Sequence, residues 1–583
     1  MNQPTPALVA ASGARRLPRV ALVLMCAAYV IPGVFGRDPW RNADLTAFAQ
    51  MLALAEGRTP WWQPTLGGVV ADTALLPHWL GAAFIEFMSP AIDPALAARV
   101  PFALLLVLTL ALVWYTTFHL ARTEAAQPVA FAFGGEAAPV DYARAVADGA
   151  VLALMATLGL LLLGHETTPE LAQLCAATLF LYALAAAPWR VGRARLAACL
   201  SLPLLAGSGA PAVAVALGLG GLLVCGQSRL AAARGLVPAL LISTVASAVV
   251  AAALGAWRWR ADLIGVADLP GIARQWLWFM WPAWPLAMWT LWRWRRHLSH
   301  RHISVPLVGA LVAVAANLMM AGSDRALMLG LPGLAVLAAF ALPTLRRSAS
   351  AAIDWFSMLF FSAWALVFWV HYVGMQTGSP IKPAANIARL APGFEPQFSL
   401  AALLAASAGT LAWLGLVRWR TGRHRDAIWK SLVLPAGGVA LCWLLAMTLL
   451  LAPLDYLRSP RPFVERLAQH GVGSGGNGFV PHLAPGLDRE QADAGAMGVG
   501  SQPQGANHVE TVDVAKVPVD QGQAQVAERR LPGAGLGHVG GGMHREAELG
   551  EGRHRHRAAD RIIIDHQCLH TRWVHPNHRP ANV

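Results

Sequence analysis

Charge is scarce in this chain: 13% of its 583 residues are Asp, Glu, Lys or Arg, about half the share of a typical soluble domain. A chain so poor in charge cannot clothe a large water-facing surface, and a mean hydropathy of +0.48 points to lipid as its solvent. The six cysteines (Cys26, Cys175, Cys199, Cys225, Cys442 and Cys568) include no C-x-x-C pair. Five lie in apolar stretches, where a thiol packs as a small apolar group, so neither a disulfide framework nor a zinc site is indicated. The net charge of +13 is spread over short basic clusters between apolar stretches. It lacks the basic patch interleaved with stacking aromatics that would mark a nucleic-acid binder, and nucleic acid is not an expected partner. The first apolar stretch follows Arg15, Arg16 and Arg19 with no small-x-small cleavage site behind it. It therefore reads as a retained transmembrane helix rather than a signal peptide.

What the chain has in abundance is apolar length. Hydrophobic residues make up 56% of it, and thirteen segments are long enough, or nearly so, to cross a bilayer. They are about 20–36, 98–120, 147–164, 170–187, 196–206, 211–226, 236–255, 275–292, 303–321, 326–343, 353–375, 398–417 and 431–452. The pair 196–206 and 211–226, split by GSGAP, reads equally as one broken helix. With the N-terminus in the cytoplasm and alternation thereafter, the inner segments receive twenty-one Lys/Arg and the outer segments up to residue 452 receive ten. That bias is the one that sets orientation. Asp38, Asp44, Glu56, Asp72, Glu166, Glu170, Asp262, Asp268 and Asp324 all fall outside. The expected fold is an all-α polytopic membrane protein: residues 1–19 a cytoplasmic N-terminus, 20–452 the transmembrane domain, any active site on the outer face.

The first outer loop, about 37–97, opens GRDPWRNADLTAFAQ and continues RTPWWQPTLGG. It sets Asp38, Asp44, Arg37, Arg41 and Arg58 among Trp40, Trp61 and Trp62. Tryptophan favours the membrane interface, and acids and guanidiniums at that depth either sit on the surface or line a polar cavity. Within the loop, 45–57 and 75–88 carry helical apolar spacing but are too short to cross, which predicts helices lying in the interface plane. Asp38, before Pro39, reads as a turn residue with Arg37 or Arg41 as partner. Asp44 reads as a reactive acid or as a cap on the following helix. Glu166 in GHETTPE reads as a second functional acid or as part of a capping segment. Arg325 beside Asp324 reads as an ion pair at a helix start or as a phosphate-binding cation. His165 has no second histidine at i+4 and reads as interfacial rather than metal-binding. The tryptophan-rich run 278–294 reads as an aromatic belt.

From about 453 the composition breaks. Twenty-two of 23 tryptophans precede this point and eleven of 19 histidines follow it. Glycine runs and GRHRHR replace the apolar periodicity, which predicts a mostly disordered periplasmic tail over 453–583. GRHRHR reads as a basic run rather than a metal site. The change after about 470 is that of an out-of-frame reading or of a lineage-specific tail.

Four stretches in chain order resemble the GT-C superfamily of membrane glycosyltransferases, in particular the family 39 enzymes of the lipid A aminoarabinose transferase-like and protein O-mannosyltransferase-like kinds. GRDPWRNAD is similar to their first-loop opening, where Trp and Arg precede an acid. RTPWWQPTLGG followed by LLPHWLGA resembles their G-x-W-x-x-P-x-x-x-G and P-L-x-x-W run. ADGAVLALMATLGLLLLGHETTPELAQL resembles the third span that ends in a second acid, and SDRALMLGLPGLAVLAAFALP the late R-Y-x-x-x-x-P helix. The likeness covers about 20–452. It implies a polyprenyl-phosphate sugar bound from the outer leaflet and a loop carboxylate that activates the acceptor for attack at the anomeric carbon. Carried onto this chain, Asp44 is that first acid and general base, and Glu166 the second.

The departures are specific. Where the relatives have E-K-P-P, this chain has Asp72-Thr73-Ala74-Leu75; their R-Y pair is Arg325-Ala326; their L-x-K/R-G is LAGSGA. A departing lipid phosphate needs a fixed cation, so phosphate binding falls to Arg325 or to Arg258, Arg260 and Arg274, with Arg58 and Asp72 as further substrate-side residues. The implied activity is transfer of a sugar from a polyprenyl-phosphate donor to a lipid, glycan or protein acceptor at the periplasmic face of a bacterial inner membrane, with no cofactor required. Two alternatives stand beside it. One is a non-catalytic relative, given the missing Lys and Tyr. The other is a lipid or sugar transporter or flippase, which would show an internal repeat and mid-span charges; no clear repeat is seen.

Overall fold

The computed structural model describes residues 7–40, 42–66, 69–70, 74–257, 268–422, 427–461 and 464. Asp72, Arg258, Arg260 and the expected tail from 465 onward, with its GRHRHR run, lie outside the described residues. The helices run in chain order as α1 (Arg19–Val30), α2 (Ala43–Ala55), α3 (Leu75–Met88), α4 (Pro94–Ala121), α5 (Pro139–Ala156), α6 (Leu158–Leu163) and α7 (Pro169–Ala186). They continue as α8 (Val191–Gly207), α9 (Pro211–Gly226), α10 (Ala231–Arg234), α11 (Val237–Ala253), α12 (Leu269–Phe279), α13 (Ala283–Arg293) and α14 (Arg301–Met319). The last group is α15 (Asp324–Met328), α16 (Leu331–Ala341), α17 (Arg347–Thr377), α18 (Ile381–Leu390), α19 (Leu400–Thr421), α20 (Lys430–Leu449) and α21 (Leu451–Arg458). Among the described residues the one sheet is a two-residue hairpin, β1 (Thr65–Leu66) with β2 (Val69–Val70), Thr65 opposite Val70.

Among the described residues seven helices are long and apolar enough to cross a membrane: α4, α7, the α10–α11 stretch, α14, α17, α19 and α20. The other six of the thirteen expected spans are realised as shorter or interrupted helices. The segment 20–36 is helical only to Val30. The segment 147–164 breaks at Thr157 into α5 and α6, 275–292 breaks at Pro282 into α12 and α13, and 326–343 divides between α15 and α16. The expected loop helices 45–57 and 75–88 are α2 and α3. A broken helix frees backbone groups that lipid cannot satisfy, and here two breaks satisfy one another. The Leu158 N–H, released at the first break, donates to the Trp281 carbonyl at the second, 3.0 Å away.

Helix α5 occupies the centre. Small residues in its sequence (ARAVADGAVLALMA) let α4, α16 and α20 close around it, and it is buried continuously from Ala145 to Ala156. In contrast α17 and α19 are apolar all round yet mostly exposed, with only 17% and 11% of their spans buried. A helix apolar on every face must be covered by protein or by lipid, so these two present the lipid-facing side. The expected orientation puts the ends of α1, α6 and α20 together with α2 and α3 on one side of the bundle, and there the polar residues gather.

Candidate active site

Two chain breaks meet at this end. The segment Arg37–Asn42 runs from α1 into α2, turning at Asn42 with φ of 71°. The segment Gly164–Thr168 links α6 to α7, where Thr168 precedes Pro169 at the first helical position, a residue that needs no amide partner there. Asp44 lies in the first turn of α2, where the helix dipole favours a negative charge. Its carboxylate reaches back to accept the Trp40 amide at 3.2 Å. The Arg37 NH2 donates to the same oxygen, Oδ2, at 3.3 Å. The other oxygen, Oδ1, accepts both the Thr167 amide at 2.8 Å and the Thr167 hydroxyl at 2.7 Å. Asp44 is thus sealed, 1% exposed, with four donors on two oxygens. Burial alone would raise its proton affinity, but Arg37, Arg99 and the Thr167 donors prevail and hold the carboxyl below its ordinary value of 3.8.

Glu166, next to Thr167 in the same loop, has the opposite balance. Burial pushes its carboxyl up, Arg325 pulls it down, and the neighbouring Asp44 charge pushes it up again; the net shift is upward from 4.5. Arg325, in the short helix α15, donates NH2 to Glu166 Oε2 at 2.6 Å and NH1 to Glu170 Oε2 at 3.1 Å and the Thr168 hydroxyl at 2.9 Å. Its two carboxylate partners outweigh the effect of burial and keep its guanidinium firmly charged. Asp324, the neighbour expected to pair with Arg325, accepts instead from the Gln275 side-chain amide. His165 is buried against Tyr29 and Trp443, its ring nitrogens 2.7 Å and 2.9 Å from the Leu161 and Tyr29 carbonyls. Burial holds that ring neutral, with a pKa of about 4.

The sequence-derived residues therefore divide. Asp44, Glu166 and Arg325 converge, joined through Thr167 and Thr168. Arg58 stands apart on the turn after α2, paired with Glu56 at 2.6 Å and partly exposed. Asp38 does not pair with Arg37. It binds Arg461 at 2.9 Å and accepts the Ser459 hydroxyl at 2.8 Å, because α21 folds back over the loop opening. Asp455 of α21 completes the contact, accepting the Asp38 amide and the Trp40 indole N–H, both at 2.9 Å. Among the described residues no group of three or more His, Cys, Asp or Glu forms a set that could hold a metal ion.

Several participants carry no mark in the sequence. Arg99, in the second turn of α4, adds a buried cation to the knot, its NH1 3.4 Å from the Val34 carbonyl. Arg37 and Arg458 both lie over the Trp40 ring, at 4.6 Å and 4.8 Å from its centroid. The one available clue was the basic character of PLDYLRSPR directly after the last span.

Taken together, fold and site define a polytopic all-α protein with a divided pair of buried carboxylates at one end of its bundle. In three dimensions the chain is similar to ArnT from Cupriavidus metallidurans bound to undecaprenyl phosphate, with a TM-score of 0.50 and 14% identity over 77% of this chain and 80% of that one. The apo form of the same protein superposes with a TM-score of 0.47 and 15% identity, over 77% and 79%. No protein-family model matches the chain, and no curated protein matches it in sequence. At such identity the likeness is one of fold.

Proposed function

We propose that this protein is a membrane glycosyltransferase, moving a sugar from a polyprenyl-phosphate donor to a lipid, glycan or protein acceptor at the periplasmic face of a bacterial inner membrane. The observation that carries the reading is that Asp44 is bonded to Thr167, the residue next to Glu166 in one loop, within a fold similar to that of a protein solved bound to undecaprenyl phosphate. Two carboxylates with environments that separate their proton affinities are suited to separate tasks. Asp44, held ionised by four donors, is the fixed negative charge that positions the loop. The family likeness puts the general base at Asp44; because Asp44 is tied to four donors, we assign that role instead to Glu166, whose higher proton affinity suits a base working near neutral pH. In the step proposed, the acceptor O–H or N–H proton passes to Glu166, and the freed electron pair forms the new bond to the anomeric carbon. The anomeric C–O bond to phosphate breaks with its electrons going to the departing lipid phosphate. Arg325 orients Glu166 throughout.

The test is direct. Purified protein in lipid nanodiscs is given polyprenyl-phosphate sugars, and release of polyprenyl phosphate is followed alongside mass spectrometry of lipid A, surface glycans and membrane proteins from a deletion strain. Turnover of one such donor, matched by loss of one modification in the strain, is the expected result. Absence of any turnover together with an unchanged glycan and lipid A profile would overturn the reading.

A further inference from the structure

Resting on that reading, we propose that the phosphate of the lipid-linked donor is gripped by Arg458, stacked on Trp40 at the rim of the acid pair. A departing phosphate needs a cation with donors to spare, and the guanidiniums around the site differ in that respect. Arg325 spends its terminal nitrogens on Glu166, Glu170 and Thr168. Arg461 is committed to Asp38, and Arg99 is buried. Arg37 is sealed, with NH2 on Asp44 and on the His165 carbonyl. Arg458 is exposed, and it has no hydrogen bond or ion pair among the described residues. Its contact among the described residues is with the Trp40 ring, its Cζ 4.8 Å from the centroid, a cation–π pairing that leaves the N–H donors uncommitted to any acceptor.

Its surroundings favour an anion. Arg37 lies over the same ring, with Nε and NH1 buried and unpartnered among the described residues. Its charge repels the Arg458 cation, whereas Glu166 is the acid whose field reaches Arg458. Arg458 therefore stands over the ring of the residue whose amide Asp44 accepts, at the rim of the acid pair, where an incoming phosphate ester can meet it. Trp40 itself is anchored from below by its indole N–H to Asp455, so α21 supplies both the cation and the brace for the ring beneath it.

The experiment compares undecaprenyl phosphate with undecaprenol, the same chain without the phosphate, in binding to wild type, Arg458→Ala and Arg458→Lys in nanodiscs of uncharged lipid. Wild type should prefer the phosphate. Arg458→Ala should lose about tenfold or more of that preference, the size expected for one charge-assisted hydrogen-bonding group, with undecaprenol binding unchanged; Arg458→Lys should keep part of it. Millimolar inorganic phosphate should not erase the preference, and if it does, the site is one for free phosphate and the lipid assignment falls. A full preference in Arg458→Ala, or a loss of undecaprenol binding in parallel, overturns the role of Arg458 and leaves the proposed function standing. A wild type that binds neither lipid overturns both.

Discussion

Thr167 gives Asp44 both of its polar hydrogens, the amide at 2.8 Å and the hydroxyl at 2.7 Å, across 123 residues of sequence. The residue before it, Glu166, is held by Arg325 at 2.6 Å. One short loop thus helps hold one carboxyl below its ordinary proton affinity and leaves its neighbour above it, and most of the expected behaviour of the site follows from that division.

Replacing Asp44 by Asn strands the Arg37 guanidinium, whose side chain is 0% exposed, without its counter-charge. Breaking a buried ion pair in this way costs roughly 3–5 kcal/mol, so Asp44→Asn should unfold at lower temperature in detergent as well as lose turnover. A variant with wild-type thermal stability would show that Arg37 finds another partner and that Asp44 does not brace the loop.

Glu166→Gln keeps the size of the side chain and removes the base. Transfer should fall by a factor of roughly 100 to 10,000. A base works only when deprotonated, so in the wild type kcat/KM should decline as pH drops through the Glu166 pKa. Because that value is raised above 4.5, the acid limb should lie at higher pH than for an ordinary glutamate. In Glu166→Gln the limb should vanish. Its persistence at the same midpoint would move the titrating group elsewhere.

Arg325→Gln should shift the acid limb rather than abolish it. The guanidinium lowers the Glu166 pKa against the pull of burial, so its removal should move the limb to higher pH. Arg325→Lys should fall between, keeping the charge without the fork that spans Glu166 and Glu170. A pH profile identical in all three forms would leave Arg325 with no hold over the base.

Trp40→Phe retains a ring under Arg37 and Arg458 but loses the indole N–H that Asp455 accepts at 2.9 Å. A loss of about 1–3 kcal/mol is expected for a hydrogen bond to a carboxylate, read as a lower unfolding midpoint. Trp40→Ala, which also empties a site where the ring is 4% exposed, should cost roughly 3–5 kcal/mol. Equal midpoints for the two variants would mean that the ring packs no better than a methyl group there.

The helices and their order were legible in the sequence because apolar length admits few alternatives. The breaks at Thr157 and Pro282 were not: the Leu158 amide and the Trp281 carbonyl satisfy one another across them, a pairing with no local signature. Asp44, Glu166 and Arg325 were reached through the likeness to a family, Arg325 as a phosphate-binding cation; its terminal nitrogens are spent instead on Glu166, Glu170 and Thr168. Thr167, Arg99, Asp455 and Arg458 went unassigned, since a threonine after an acid or an arginine after a final span looks like countless others. The partners of Asp38 were hidden for the same reason: Ser459 and Arg461 stand more than four hundred positions further along, in place of the expected Arg37, while Arg41 lies outside the described residues.

The clasp of α21 on the loop opening has a consequence in time. Chains are made from the N-terminus, and Asp44 can meet Thr167 once the first third of the protein is synthesised. Asp38 and Trp40 must wait for Asp455, 417 and 415 residues later. A product cut short by a premature stop after α20 would keep all its membrane-crossing helices and its acid pair, but its rim would stay unfastened and lack Arg458. Translation to the far end of the bundle is therefore the event that fastens the rim of the site.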